Sequence, residues 1–206
     1  MYLWPDITTV ALDLETTGLN RERDRIIQYG IFGTDGCVNG CISISAVVDA
    51  ETSVGRDPKN IPGVPKEELN ASKPLREGHL DILYDALHMH VVIMHNAAHD
   101  WTFIQNEFIR NKRLPPQPFA KICTYGWARR AKLKGSLTLS DLCKRFGVSL
   151  HVAHNAWHDA YATFHLFLTW INDSVMFVYC PALKWKYCSK YFPPKAWPVD
   201  LLCKPK

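Results

Sequence analysis

Apolar positions along the chain follow two periods, alternation and helical spacing, and the switches between them mark out its elements. From Thr8 to Leu14, β-branched and aliphatic side chains predominate, which predicts a buried strand. Arg25-Ile-Ile-Gln-Tyr-Gly-Ile-Phe32 reads as its neighbour. Asn39-Gly40 is the strongest hairpin signal nearby, with Asp35-Gly36 a competitor, so Cys41 to Val48 becomes an antiparallel third strand. A polar stretch punctuated by Gly and Pro runs from Asp49 to Pro65, and a helix is expected from about Leu75 to His88. Val91-Val-Ile-Met94 is a short unbroken apolar run, as in a central strand buried on both faces. Trp101, Phe103, Ile104 and Phe108 have helical spacing and put Asp100 near that helix's first turn. Phe119 to Thr124 follows a proline-rich breaker and reads as a fifth strand. Thr138-Leu-Ser-Asp141 is a capping box opening a helix that stops at Gly147. A last long helix covers about Ala156 to Ile171, buried on its Phe164, Leu168 and Ile171 side. A hairpin followed by alternating helices and strands indicates an α/β fold, a mixed five-stranded sheet with helices on both faces.

Composition narrows the class. At 206 residues, 47% hydrophobic and 21% charged, the chain suits one ordinary globular domain with a sizeable core. No apolar run approaches the roughly 20 residues that cross a bilayer, and Met-Tyr-Leu-Trp-Pro-Asp lacks the basic start and apolar region of a secretory signal, so an intracellular, cytoplasmic location with no membrane contact is expected. The seven cysteines are odd in number and form no C-x-x-C pair, which suits reduced thiols. A zinc site from Cys180, Cys188 and Cys203 lacks the close pairs of structural sites. The net charge of +4 is concentrated in the tail, where six lysines from Lys184 onward face Asp200 alone.

Two acids interrupt the first strand. Asp13 and Glu15, two apart, emerge on one face just before the Thr16-Thr17-Gly18 turn. Their charges repel, and such a pair suits a hard divalent cation such as Mg²⁺. Taken alone, the same dipeptide more often describes a solvated sheet rim. Asp100 and Asp159 add carboxylates at the ends of two further core elements. Four acids balance two divalent ions, and two such ions about 3.5–4 Å apart provide what phosphodiester hydrolysis needs: an activated water and a stabilised leaving oxygen.

A base must also take the water's proton. His154, five residues before Asp159, is the candidate. On one helix the two side chains would stand about 140° apart, so the pairing requires His154 in the loop ahead of the helix. Histidine's ordinary pKa near 6.5 suits that work at neutral pH. His158, adjacent to Asp159, is the rival. His151, His154 and His158 also have the i, i+3, i+7 spacing of a transition-metal face, provided the helix extends that far back.

Asp13-Leu-Glu-Thr-Thr-Gly18, His95-Asn-Ala-Ala-His-Asp100 and His154-Asn-Ala-Trp-His-Asp159-Ala160 together resemble, in order and spacing, the three motifs of the DEDDh 3′–5′ exonucleases, most like the proofreading epsilon subunit of bacterial DNA polymerase III. Ile61-Pro-Gly-Val64 sits where that family has its Ile-x-Gly-Ile segment, and the likeness runs from about Thr8 to Trp170. It implies a ribonuclease-H-like fold, with Asp13, Glu15, Asp100 and Asp159 holding two divalent ions, Mg²⁺ or Mn²⁺, and His154 as general base. Thr16, Thr17 and Leu19 match positions around the terminal nucleotide, and His95 and Asn96 match a segment lining the same cleft; turn formation and support of the acids explain these five residues equally well. His99 departs from the phenylalanine usual before the second motif's aspartate, which bears on local packing.

Residues 1–183 are thus expected to form an exonuclease domain and 184–206 a basic, aromatic and proline-rich tail. Lys184, Trp185, Lys186, Tyr187, Lys190, Tyr191 and Trp197 alternate charge with stacking groups, which suits single-strand binding. Pro193-Pro194 and Pro198 suit equally a strap on the domain or a peptide gripping a polymerase or processing complex. The expected activity is release of nucleoside monophosphates from DNA 3′ ends, single-stranded ends preferred. An exoribonuclease of the same family is the alternative, since only contacts to the 2′-OH separate the two. An inactive nucleic-acid- or polymerase-binding module is the other; the presence of all five catalytic positions argues against it.

Overall fold

The computed structural model describes residues 8–35, 40–51 and 66–173. The Ile61–Val64 segment, Gly36, Asn39, the three cysteines of the zinc reading and the Lys184–Lys206 tail lie outside these residues. Within them, a five-stranded sheet has the order β3-β2-β1-β4-β5. β1 (Thr9–Thr16), β2 (Ile26–Asp35) and β3 (Gly40–Val47) are antiparallel, out to Asp35 opposite Gly40. β4 (Val91–Met94) and β5 (Ala120–Cys123) add to β1 in parallel. This is the mixed sheet of a ribonuclease-H-like α/β fold.

The alternation within β1 and β4 decides which helices cover which face. Val10, Leu12 and Leu14, with Val92 and Met94, bury against α2 (His79–Leu87) and α3 (Ala97–Arg110). Ala11, Val91 and Ile93 turn to the opposite face, under α4 (Thr124–Arg130), α5 (Leu139–Phe146) and α6 (Ala156–Asn172). Asp13 and Glu15 continue the series of Ala11, so they emerge on the α6 side. Because β1 and β4 run parallel with Ala11 level with Ile93, the ends of both strands reach the same edge of the sheet.

Two helices were not legible as periodic runs. α1 (Lys66–Ala71) follows the proline-rich segment, and α4 starts at once from β5, so Thr124, expected to end the strand, is its first residue. The Cys123 side chain accepts from Gly126 N–H at 3.2 Å and caps that turn. The helix expected from Leu75 begins only at His79, because Gly78 takes a left-handed φ of 95° and breaks the run. The Thr138 cap of α5 is as expected, accepting from Asp141 N–H at 3.3 Å, with Gly147 left-handed at the far end. Cys41, Cys123 and Cys143 are thiols. Among the described residues, no helix is long and apolar enough to cross a membrane.

One buried ion cluster fastens the turn after β1 to α3. Glu107 is fully buried and accepts both Arg25 Nε and Nη2, at 2.6 and 2.9 Å, and Arg110 Nη1 at 2.9 Å. Arg110 also donates to the carbonyls of Arg21, Glu22 and Asp24.

Candidate active site

The β1 terminus and two helix starts build the site. Asp13, Glu15 and Asp159 each bring a carboxylate oxygen within 4.8 Å of the others. Asp100 stands outside that triplet, in the first turn of α3, but close enough for its charge to raise the Asp13 pKa. Both helical aspartates are the fourth residue of a helix that follows an asparagine. His95-Asn-Ala-Ala-His-Asp100 and His154-Asn-Ala-Trp-His-Asp159 differ at a single position, but only Asn155 caps its helix with its side chain, whereas Asn96 enters α3 through a left-handed backbone.

The start of α6 shows how the sheet seats Asp159. A helix leaves its first four N–H groups without intrahelical partners. Here Ala156 N–H donates to Gln28 Oε1 at 3.1 Å, Trp157 and His158 N–H to Asn155 Oδ1 at 3.2 and 3.3 Å, and Asp159 N–H to the Asn155 carbonyl at 2.9 Å. Gln28 lies opposite Glu15 and Gly30 opposite Asp13 in the β1–β2 register. A Cβ on Gly30 would lie 2.2 Å from the Ala156 carbonyl oxygen, so only glycine lets α6 come down beside the β1 acids. Sequence reasoning missed both residues, although an isolated glycine inside a strand signals close backbone approach.

Burial and mutual repulsion press these acids toward protonation. Asp13 is held well above the usual carboxylate range by burial first, then by Asp100, Asp159 and Glu15. Burial and then Glu15 raise Asp100, against the pull of its own helix N–H and Arg21. Glu15 is pushed to about 7 by burial and Asp159. Burial raises Asp159 to about 6, with the His154 contacts opposing. Crowded oxygen donors that cannot all stay ionised alone fit a hard divalent cation. Asp13, Glu15 and Asp159 would hold it, with Asp100 beside them.

His154 lies in the loop before α6, exposed, with its backbone at φ 61° and its N–H donating to Asp159 Oδ2 at 3.1 Å. This is the arrangement its pairing with Asp159 requires, and the three-histidine face does not form because the helix begins only at Ala156. His158 is half-buried, its ring 6.1 Å from that of His151 and its Nδ1 without a partner among the described residues.

The substrate-side residues divide by environment. Thr17 is fully buried; its hydroxyl accepts from Arg25 N–H at 3.0 Å and its N–H donates to the Arg25 carbonyl at 2.9 Å. Thr16 Oγ1 donates to the Gly18 carbonyl at 2.7 Å. Both close the turn, and Leu19 projects from it 84% exposed. Asn96 takes φ 65° and makes no side-chain cap bond. His95 Nδ1 lies 2.9 Å from Thr124 Oγ1, and burial lowers the ring to about 4 against the opposing effect of a bond to the Leu137 backbone. His99 puts its ring 5.0 Å from that of Phe103, so the imidazole fills an aromatic's place.

With this geometry in view, comparison with known proteins is informative. The exonuclease family model of RNase T type matches residues 10–167. The chain is 30% identical to the PolC-type DNA polymerase III of Streptococcus suis over 82% of its length, and 29% identical to the DNA polymerase III epsilon subunit of Treponema pallidum over 80%. With ribonuclease T of Buchnera aphidicola it shares 24% identity over 93%. It spans 12% of the PolC-type polymerase, 77% of the epsilon subunit and 87% of the ribonuclease. E. coli exonuclease I, solved with a dA16 oligonucleotide, has the same fold, with a TM-score of 0.67 at 18% identity over 85% of this chain and 43% of that one.

Proposed function

The chain belongs to the RNase T exonuclease family and is a 3′–5′ exonuclease, and from that premise we propose that it releases nucleoside monophosphates from DNA 3′ ends, using two divalent ions, Mg²⁺ or Mn²⁺. The observation that carries this reading is the convergence of Asp13, Glu15 and Asp159 within 4.8 Å, beside a loop that presents His154. Asp13, Glu15, Asp100 and Asp159 would hold the ions, which when bound would lower the pKa of water and offset charge on the phosphate. His154 takes the proton of the attacking water, and its exposed loop gives the ring access to solvent and to the incoming strand. Leu19 contacts the terminal nucleotide, while Thr16 and Thr17 hold the turn that presents it; His95 and Asn96 shape the opposite wall of the cleft.

Residues 1–183 act as the exonuclease domain of a cytoplasmic protein, and the 184–206 tail engages single strands or a polymerase or processing complex. A second reading, exoribonuclease, is favoured by the ribonuclease T relative, which this chain matches over 93% of its length. Matched 5′-labelled DNA and RNA oligomers, with Mg²⁺, with Mn²⁺ and with chelator, test these readings. A descending ladder from DNA that chelator abolishes is expected. Faster loss of RNA transfers the assignment to the second reading, and no degradation of either defeats both.

A further inference from the structure

Outside the tail the chain is close to neutral, but the fold separates its charges. Between Gly126 and Gly147 there are six basic residues, Arg129, Arg130, Lys132, Lys134, Lys144 and Arg145, and one acid, Asp141. All six are exposed. They form one surface, because Arg145 Nη1 donates to the Lys134 carbonyl at 3.1 Å, joining the end of α5 to the loop after α4. Asp141 is turned toward Thr138, whose hydroxyl donates to it at 2.7 Å. Among the described residues, Arg129, Lys132 and Lys134 enter no ion pair. Helix dipoles account for the pairs in the last turns of α4 and α5, but not for Lys132 and Lys134 in the loop. Arg129, Lys132 and Lys134 thus offer exposed positive charge to an anion, as the acids of the cleft await a cation.

The surface is also wired to that cleft. His95, at the end of β4, bonds Thr124 Oγ1 at 2.9 Å and the Leu137 backbone, so one histidine staples both ends of the basic segment. α4 spans seven residues, and the five or six residue rises from Thr124 to Arg129 and Arg130, about 7.5–9 Å, correspond to a little over two nucleotide steps of a duplex strand.

We propose that Arg129, Lys132 and Lys134, with Arg145 beside them, bind backbone phosphates of the nucleic acid several nucleotides away from the bond being cut. This rests on the exonuclease reading above and adds a sequence-independent grip on substrates long enough to reach it. The test uses the full chain carrying Arg129→Ala, Lys132→Asn and Lys134→Ala, asparagine being chosen because Lys132 has a φ of 53°. Hydrolysis of a trinucleotide and a dodecamer is compared at low and moderate salt, with melting temperature as the folding control. KM for the dodecamer should rise at least tenfold with kcat unchanged, while the trinucleotide is cut as by the parent. Three lost contacts should flatten the salt dependence of dodecamer binding by about 2 in log–log slope. Equal losses on both lengths, or none on either, overturn the proposal; the latter is what an acidic protein partner for this surface predicts. Binding of the labelled dodecamer in chelator needs no catalysis, so failure of the exonuclease reading remains distinguishable from failure of this one.

Discussion

The backbone N–H of His154 donates to Asp159 Oδ2 at 3.1 Å, so the loop carrying the proposed base is tied to an acid of the carboxylate cluster while its ring stays exposed. This bond sets the loop by the main chain, which a side-chain substitution leaves in place. His154→Ala should therefore keep metal and substrate binding and lose roughly 10²–10⁴-fold in kcat, the usual contribution of a positioned base. His158→Ala, altering a half-buried ring set edge-on to His151, should lose far less. Single-turnover rates on one DNA oligomer compare the two, and equal inactivity of two folded, metal-bound variants would reverse the assignment.

The acids should make the metal-free protein less stable as pH rises. Glu15 moves from an ordinary 4.5 to about 7 and Asp159 from 3.8 to about 6. Between the two sets of values the folded state holds more protons than the unfolded chain, so stability is fully present below about pH 4 and declines up to about pH 7. His95, lowered to about 4, contributes an opposing gain over the same interval, so the acids' decline is read from the difference between melting in Mg²⁺ and in chelator, which should widen toward neutral pH. Asp13→Asn removes one of the repelling charges, so it should flatten the decline and abolish hydrolysis without lowering stability. A difference between Mg²⁺ and chelator that fails to widen across this interval would contradict the electrostatic account.

Gln28 and Gly30 seat α6, and each substitution should show a different cost. Gln28→Ala leaves the buried Ala156 N–H without its acceptor, at about 1–3 kcal/mol. Gly30→Ala drives a methyl group into the Ala156 carbonyl and should cost more, because two backbones must part. Since Asp159 rides on this helix, kcat should fall in both variants under conditions where they remain folded. Chemical denaturation with parallel activity measurements decides it; wild-type kcat in a destabilised Gly30→Ala would uncouple the seat from catalysis.

Leu19 makes no contribution to the core that its removal could expose, being 84% exposed. Leu19→Ala should leave the melting temperature unchanged and raise KM for a DNA 3′ end by about tenfold, in keeping with about 1.5 kcal/mol for burying a leucine side chain against a ligand. An unchanged KM would remove this residue from the substrate site.

The sequence by itself determined the strands and most of the helices, because each of those signals is local, and it singled out four acids. Alternation places Asp13 and Glu15 on one face, and the breaks at Gly18, Pro118 and Gly147 punctuate whatever else the chain does. α1 and α4 escaped because six- and seven-residue helices hold too few turns to establish a period. The two matching hexapeptides mark the limit most clearly. His95 and His154 occupy the same place in them, yet His95 is half-buried between Thr124 and Leu137 and lowered by desolvation to about 4, while His154 stands in solvent beside Asp159. Only the tertiary structure decided which of these two histidines stands exposed. Burial is a property of what packs around a residue, here α4 against β4 on one side and nothing over the α6 loop on the other, among the described residues. The closeness of Asp159 to the β1 acids was likewise decided across more than a hundred residues of chain, by Gly30 yielding room that no local pattern around Asp159 records.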